Sequence, residues 1–218
     1  MAQLDEPPES GLLQFEIPVA PVSFQATAPK KAGIVAAVRA AVADCAFLLS
    51  GDVKVQIRWG ISVRARYESD SSADVDNIVK PILDALSGPD GVLIDDCQVQ
   101  ELTCYWSGGY TTPAEQHLDI EIQFDPEGWY PKGGVVFLEV DRGLYLPVHS
   151  DLGDEIVTEQ AEYFVQRFES ARSMVAMGAS PYSAHLTLPI QRIFHRSKIG
   201  AFPRISLDEL RNRRDQAG

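Results

Sequence analysis

The sequence predicts an α+β fold: a mixed β-sheet flanked by helices, with an α/β-type extension appended on the C-terminal side. Three observations predict it. Apolar and polar residues alternate with period two over 53–67, too long a run for anything but a strand system with one buried face. Stripes at helical spacing fall on either side of it, at about 33–49 and 76–87. After a Pro/Gly-rich stretch at 126–134, a strand signal and a long amphipathic helix follow, giving a core region 12–125, a connector 126–134 and an extension 135–218.

Taken in order, 12–19 reads as an opening strand closed by Pro18 and Pro21. Val35, Val38, Val42, Cys45 and Leu49 then mark the first helix. In 53–67 the odd positions are Val, Val, Ile, Trp, Ile, Val, Ala and Tyr, while Lys54, Arg58, Arg64 and Arg66 share the other face. Gly60 suggests a bend, bulge or hairpin turn. In the second helix Ile78, Ile82 and Ala85 with Val79, Leu83 and Leu86 form the buried side, and Asp76, Lys80 and Asp84 step by four along the opposite stripe. Pro81 is tolerable only early in such a helix. Gly88-Pro89-Asp90-Gly91 stops it, and 92–94 is a short apolar run ending in Asp95-Asp96. Two alternating strands follow, around Leu102–Trp106 and 118–124. The extension has a strand at 135–140 and a helix at 154–177 with a stripe of Val157, Ala161, Phe164, Phe168, Ala171 and Val175. A short strand near 185–189 and a charged helix near 207–214 complete it.

Hydrophobic residues make up 45% of the 218, enough for a real core. No apolar run is long enough to span a bilayer and residues 1–8 lack a secretory pattern, so no membrane association is expected. Cys45, Cys97 and Cys104 are odd in number without zinc-type spacing, which points to a reduced, cytoplasmic setting. The net charge of −12 opposes binding to nucleic acid, but it is unevenly spread. Residues 1–125 carry 8 basic and 19 acidic residues, whereas 126–218 carry 11 and 12. Between Arg192 and Arg214, seven basic residues face only Asp208 and Glu209.

The chemistry concentrates at Asp74, Asp76 and Asp96, with Asp95 adjacent. Asp74 and Asp76 sit two apart at a loop-to-helix junction, so an extended backbone there turns both carboxylates the same way. Three carboxylates gathered within about 5 Å repel by roughly 3 kcal/mol per pair at an effective dielectric near 20. A hard divalent cation with oxygen ligands offsets that, magnesium being the usual one and manganese a substitute. Lys80, one turn past Asp76, is placed to neutralise charge on a phosphate or to orient a carboxylate. Each residue also has an ordinary reading: Asp at a helix start caps it, and Asp-Asp before a polar turn is turn chemistry. The ordered set carries the stronger inference.

That set, Asp74-x-Asp76-Asn77, Lys80, Asp84-Ala85-Leu86, a short turn, and Asp95-Asp96-x-Gln98-Val99, resembles the core signature of the RusA family of Holliday junction resolvases. Ile17-Pro18-Val19-Ala20-Pro21-Val22-Ser23 is similar to that family's opening strand and proline turn, so the resemblance covers about 12–125. It implies a RusA-like fold, a homodimer, and magnesium-dependent cleavage of branched DNA. Asp74, Asp76 and Asp96 match the metal-binding catalytic aspartates, Lys80 the essential lysine, and Asp95 is an adjacent candidate ligand. The chain departs from the family in its acidic core and in Glu68-Ser69-Asp70-Ser71-Ser72, where an Arg-rich approach is expected. Lys54, Arg58, Arg64 and Arg66 on the strand face, with Arg192, Arg196 and Lys198 in the extension, are the candidate DNA contacts. Two other functions stay open: a catalytically weak or inactive RusA-like interaction protein of phage or mobile-element type, with a protein partner bound through 135–218, and an acidic DNA mimic. His185, His195, Cys97 and the Trp129-Tyr130 pair are better read as packing or surface residues than as catalysts or base-stacking platforms.

Overall fold

The computed structural model describes residues 3–19, 28–62, 75–110, 116–150 and 153–217. It divides into two compact units, Met1–Lys132 and Gly133–Gly218, each with its own apolar core. Among the described residues, five helices and mixed sheets make it an α+β protein.

In the first unit, β1 (Leu12–Ile17), β3 (Val53–Ser62), β4 (Val99–Tyr110) and β5 (His117–Gln123) form a sheet of order β1-β5-β3-β4. β3 pairs parallel to β4 and antiparallel to β5, so the sheet is mixed. The alternation read from the sequence selects the faces. Leu13, Phe15, Val53, Val55, Ile57, Trp59, Leu118, Ile120 and Ile122 are buried on one side against α1 (Ala28–Val42) and α2 (Val75–Leu86). Gln14, Glu16, Lys54, Gln56, Arg58, Asp119 and Glu121 occupy the other, partly or fully exposed. β2 (Phe47–Leu49) and β6 (Trp129–Pro131) form a separate antiparallel pair.

Several expectations are corrected here. The first helix ends at Val42, not 49, because Phe47, Leu48 and Leu49 are all buried and helical spacing would expose one of them; they extend as β2 instead. The Pro/Gly-rich 126–134 stretch is more than a connector, since Trp129–Pro131 is β6, Tyr130 is buried and Trp129 packs edge-on against Phe47. Gly60 makes no hairpin: β3 continues through it, and the absent side chain admits the His117 ring, which a Cβ would meet at 2.4 Å. Pro81 lies well inside α2 rather than in its first turn; the helix gives up one backbone bond there and is held by the burial of Ile78, Ile82, Ala85 and Leu86.

The second unit is a four-stranded sheet of order β10-β7-β8-β9, from β7 (Val135–Asp141), β8 (Leu144–His149), β9 (Phe194–His195) and β10 (Arg204–Ile205). β7 and β8 are an antiparallel hairpin turning at Gly143, whose φ of 73° suits glycine. Val157, Ala161, Phe164 and Phe168 of α3 (Asp154–Ala176) cover Leu138, Val140, Leu146 and Val148, together with Leu210 of α5 (Leu207–Ala217). Val175, expected on the buried stripe, is exposed, as the last turn of α3 runs past the sheet. The strand expected near 185–189 does not form: a short helix α4 (Pro181–His185), started by Ser180 accepting from Ser183 N and by Pro181 in the first turn, runs into a turn there. Among the described residues, no helix is long and apolar enough to cross a membrane.

Candidate active site

The segment after α2 is folded back onto the helix by its turn. Gly88 has φ 93°, and Gly91 lies so close to the end of α2 that a Cβ would meet the Leu86 carbonyl oxygen at 2.0 Å. That oxygen accepts from Val92 N and Leu93 N, both at 2.9 Å. Arg39 of α1 caps the same helix end by donating Nη2 to Ser87 O at 2.9 Å. Leu93 bridges to both Ser87 and Leu49. The acids that follow therefore return beside the helix they left.

Asp95 begins a 3-10 turn, Asp96–Gln98, and its Oδ1 accepts from Cys97 N at 2.9 Å. Asp95 thus caps this turn, a more specific form of the turn chemistry that Asp-Asp before a polar turn suggests. Asp96, with its side chain 23% exposed, points the other way, and its Oδ2 lies 2.6 Å from Lys80 Nζ. Lys80 Nζ is also 2.7 Å from Asp84 Oδ1. The two carboxylates favour the ammonium form and push the Lys80 pKa up, with the Asp84 hydrogen bond the larger cause and Asp96 next. Lys80 is thereby a bridge between the α2 stripe and the returning turn.

Asp74, Arg64 and Arg66 lie outside the described residues, and for Asp76 only the backbone is described, in the first turn of α2, one turn before Lys80. Among the described residues no cluster of three or more potential metal ligands stands together. The donor chemistry still suits magnesium: Asp96 offers a partly exposed hard oxygen, held by Lys80 beside the helix that carries Asp76, and no soft ligand competes in the set.

Sequence reasoning did not foresee the role of Gln98. This side chain is fully buried, and its amide makes all four of its possible bonds. Oε1 accepts from Ile94 N at 2.7 Å and Asp95 N at 3.1 Å, while Nε2 donates to Leu49 O and Gly51 O, both at 2.8 Å. Orphaning any one of these buried groups costs about 1–3 kcal/mol. The signal available in the sequence was the capping-box spacing from Asp95 to Gln98.

The candidate DNA contacts divide sharply. Lys54 pairs with Glu101 at 2.9 Å. Arg58 grips Asp119 Oδ2 through Nη2 at 2.5 Å and Nε at 2.6 Å. Glu16 and Glu121 line the shallow 440 Å³ depression beside Arg58 on this open sheet face, which is consequently acidic. In the second unit, the Gly143 turn collects cations. Arg196 N donates to Gly143 O at 2.9 Å, the Arg196 and His195 side chains flank that glycine, and Arg142 precedes it. Arg204 donates to Arg196 O at 3.3 Å and lies over the Tyr145 ring, while Lys198 N donates to His195 O at 2.8 Å. Arg142, His195, Arg196, Lys198 and Arg204 are all exposed. Arg192 is different: its guanidinium lies over Phe194, and burial pulls its pKa below the ordinary arginine value.

A search of curated proteins returns no match. Residues 28–123, spanning α1, α2, the returning turn and the β3-β4-β5 part of the sheet, match the family model described as Endodeoxyribonuclease RusA.

Proposed function

We propose that the protein is a magnesium-dependent, structure-selective endonuclease that hydrolyses phosphodiesters in Holliday junctions or other branched DNA. The observation that carries this reading is the Lys80–Asp96 ion pair at 2.6 Å, which joins the acid of the returning turn to the helix bearing Asp76, inside a region that matches the RusA family model. Asp74, Asp76 and Asp96 would hold the ion, with manganese as a substitute. When bound, such an ion polarises the phosphodiester and acidifies a water at neutral pH. Lys80 keeps its proton over the whole working pH range, so its ammonium is available to meet negative charge building on the phosphate, while Asp84 holds it in place. The RusA resemblance makes a homodimer the expected form, so that two such sites face one junction.

DNA is held, in this reading, by the cluster around Gly143 (Arg142, Arg196, Lys198 and Arg204) more than by Lys54 and Arg58, whose charges Glu101 and Asp119 already meet. Arg192 supports the cluster from its place on Phe194. The test is cleavage of a labelled four-way junction with and without magnesium, in the unaltered chain and in Asp76→Asn and Asp96→Asn. Cleavage that needs the metal and disappears in both variants is expected. Undiminished cleavage by both would remove the site.

A second reading is favoured by the acidic open face of the first sheet: a RusA-like domain that has exchanged catalysis for binding a protein partner. It predicts no binding of manganese by calorimetry, and no cleavage of any branched substrate.

A further inference from the structure

Asp96 directly follows two residues whose backbone amides are pinned by one side chain. Gln98 Oε1 takes the amide protons of Ile94 and Asp95, and Gln98 Nε2 reaches back to the carbonyls of Leu49 and Gly51, at the end of β2 and before β3. The amide cannot be turned over, since that would set its NH₂ against two N–H groups and its oxygen against two carbonyls. Within the same turn the Asp95 side chain takes Cys97 N and also Gln98 N, while Gln98 takes Asp95 N, so the capping box is complete in both directions. The far side of Asp96 is fixed by Lys80. The side chain is 0% exposed with its four polar partners all met, so losing any of them leaves a buried polar group unsatisfied.

We propose that Gln98 is a positioning residue for the active site: it locks the 94–98 turn onto the 49–51 segment so that the Asp96 carboxylate is delivered beside Lys80 and α2. Gln98 touches neither metal nor DNA. It acts through the backbone of Ile94 and Asp95, which leads directly into Asp96, as groups behind a metal ligand commonly set its orientation. The proposal rests on the reading of Asp96 as a metal ligand, and its test separates the two.

Two variants change the clamp with little change in volume. Gln98→Met removes all four bonds, and Gln98→Glu keeps acceptors for Ile94 N and Asp95 N while losing the donors to Leu49 O and Gly51 O. Leu13→Ala, a cavity in the buried face of β1, serves as a control for general destabilisation. All are assayed as full chains, well below their melting temperatures. Manganese affinity by calorimetry is expected to weaken by about 10- to 100-fold in Gln98→Met and by less in Gln98→Glu. kcat on the four-way junction should fall in parallel with KM for DNA unchanged, and Leu13→Ala should move neither. Should Gln98→Met not fold, Gln98→Glu carries the same comparison. Manganese affinity and kcat within twofold of the unaltered chain in the folded Gln98 variants, or an equal loss in Leu13→Ala, would overturn the proposal. If the unaltered chain binds no manganese and cleaves nothing, the nuclease reading fails, and hydrogen exchange decides the clamp alone. Exchange at Cys97 and Gln98 amides at least tenfold faster in a folded Gln98 variant upholds it; unchanged exchange overturns it.

Discussion

The open sheet face of the first unit and the Gly143 corner of the second both carry exposed cations, yet they differ in what those cations already touch. On the sheet face, Lys54 is met by Glu101 and Arg58 by Asp119, with Glu16 and Glu121 alongside. At the corner, Arg142, Arg196 and Arg204 lie within a few residues of one turn, and among the described residues none of the three is in an ion pair. Counting basic residues along a strand therefore overstates its positive potential. What matters for a polyanion is the charge left after neighbours are satisfied. Under the nuclease reading proposed above, the acid-rich first unit would carry the chemistry and the second the positive field.

The comparison is broken most severely at the chemistry. Asp96→Asn keeps the shape and removes one anionic oxygen donor beside Lys80. Junction cleavage should fall by about 100-fold or more, with binding of the junction by gel shift unchanged or slightly tighter. A parallel loss of binding would mean that the acid holds structure rather than catalysis. Next in size is the triple variant Arg142→Ala, Arg196→Ala, Arg204→Ala. Removing three phosphate contacts should reduce the slope of log affinity against log salt by roughly 2–3 and weaken junction binding by about tenfold or more near physiological salt. kcat at saturating DNA should survive. An unchanged salt slope would take DNA away from this corner.

How much of this was readable beforehand follows from the range of each interaction. The faces of β3 and the buried side of α2 were legible because period two and period 3.6 are local and strong; Ile57, Trp59, Ile78 and Ile82 are where the pattern put them. The order of acids and lysine was legible as a motif, although the return of Asp96 to Lys80 needed the Gly88–Gly91 turn, whose tightness at the Leu86 carbonyl no periodicity encodes. Phe47–Leu49 was misread because an all-apolar triplet fits a buried strand as well as a helix end, and its partner, Trp129–Pro131, lies some eighty residues away. Separation in sequence likewise hid the pairing of Arg58 with Asp119, 61 residues on, and the two partners of Gln98 on the 49–51 segment, 49 and 47 residues back.

Smaller effects sharpen the contrast from the first unit's side. Arg58→Ala and Lys54→Ala remove charges that are already met, so junction affinity should change by less than about twofold. Stability should fall by no more than about 1 kcal/mol for either exposed pair, with Arg58 the larger because its two nitrogens hold one carboxylate oxygen. A loss of DNA binding in Arg58→Ala comparable to the triple variant would erase the distinction between the two surfaces.

The smallest expected effect appears only in alkali and only in the first unit. Burial pushes the Cys104 thiol up to about 11 from an ordinary value of 9.0, and the Tyr130 phenol up to about 12 from 10.0. In both, the folded state keeps a proton that the unfolded chain gives up sooner. Their contribution is therefore intact below about pH 9 and declines as the pH rises toward the folded values. Trp59, Trp106 and Trp129 are the three tryptophans of the chain, and all lie in the first unit, so their fluorescence reports that unit alone. Guanidinium unfolding followed by tryptophan emission should shift to lower denaturant between about pH 8 and pH 10.5. Cys104→Ala should lose part of that shift, because a half-buried thiol no longer ionises on unfolding. An identical shift in Cys104→Ala and the unaltered chain would assign the alkaline loss elsewhere, to the buried Tyr130 phenol first.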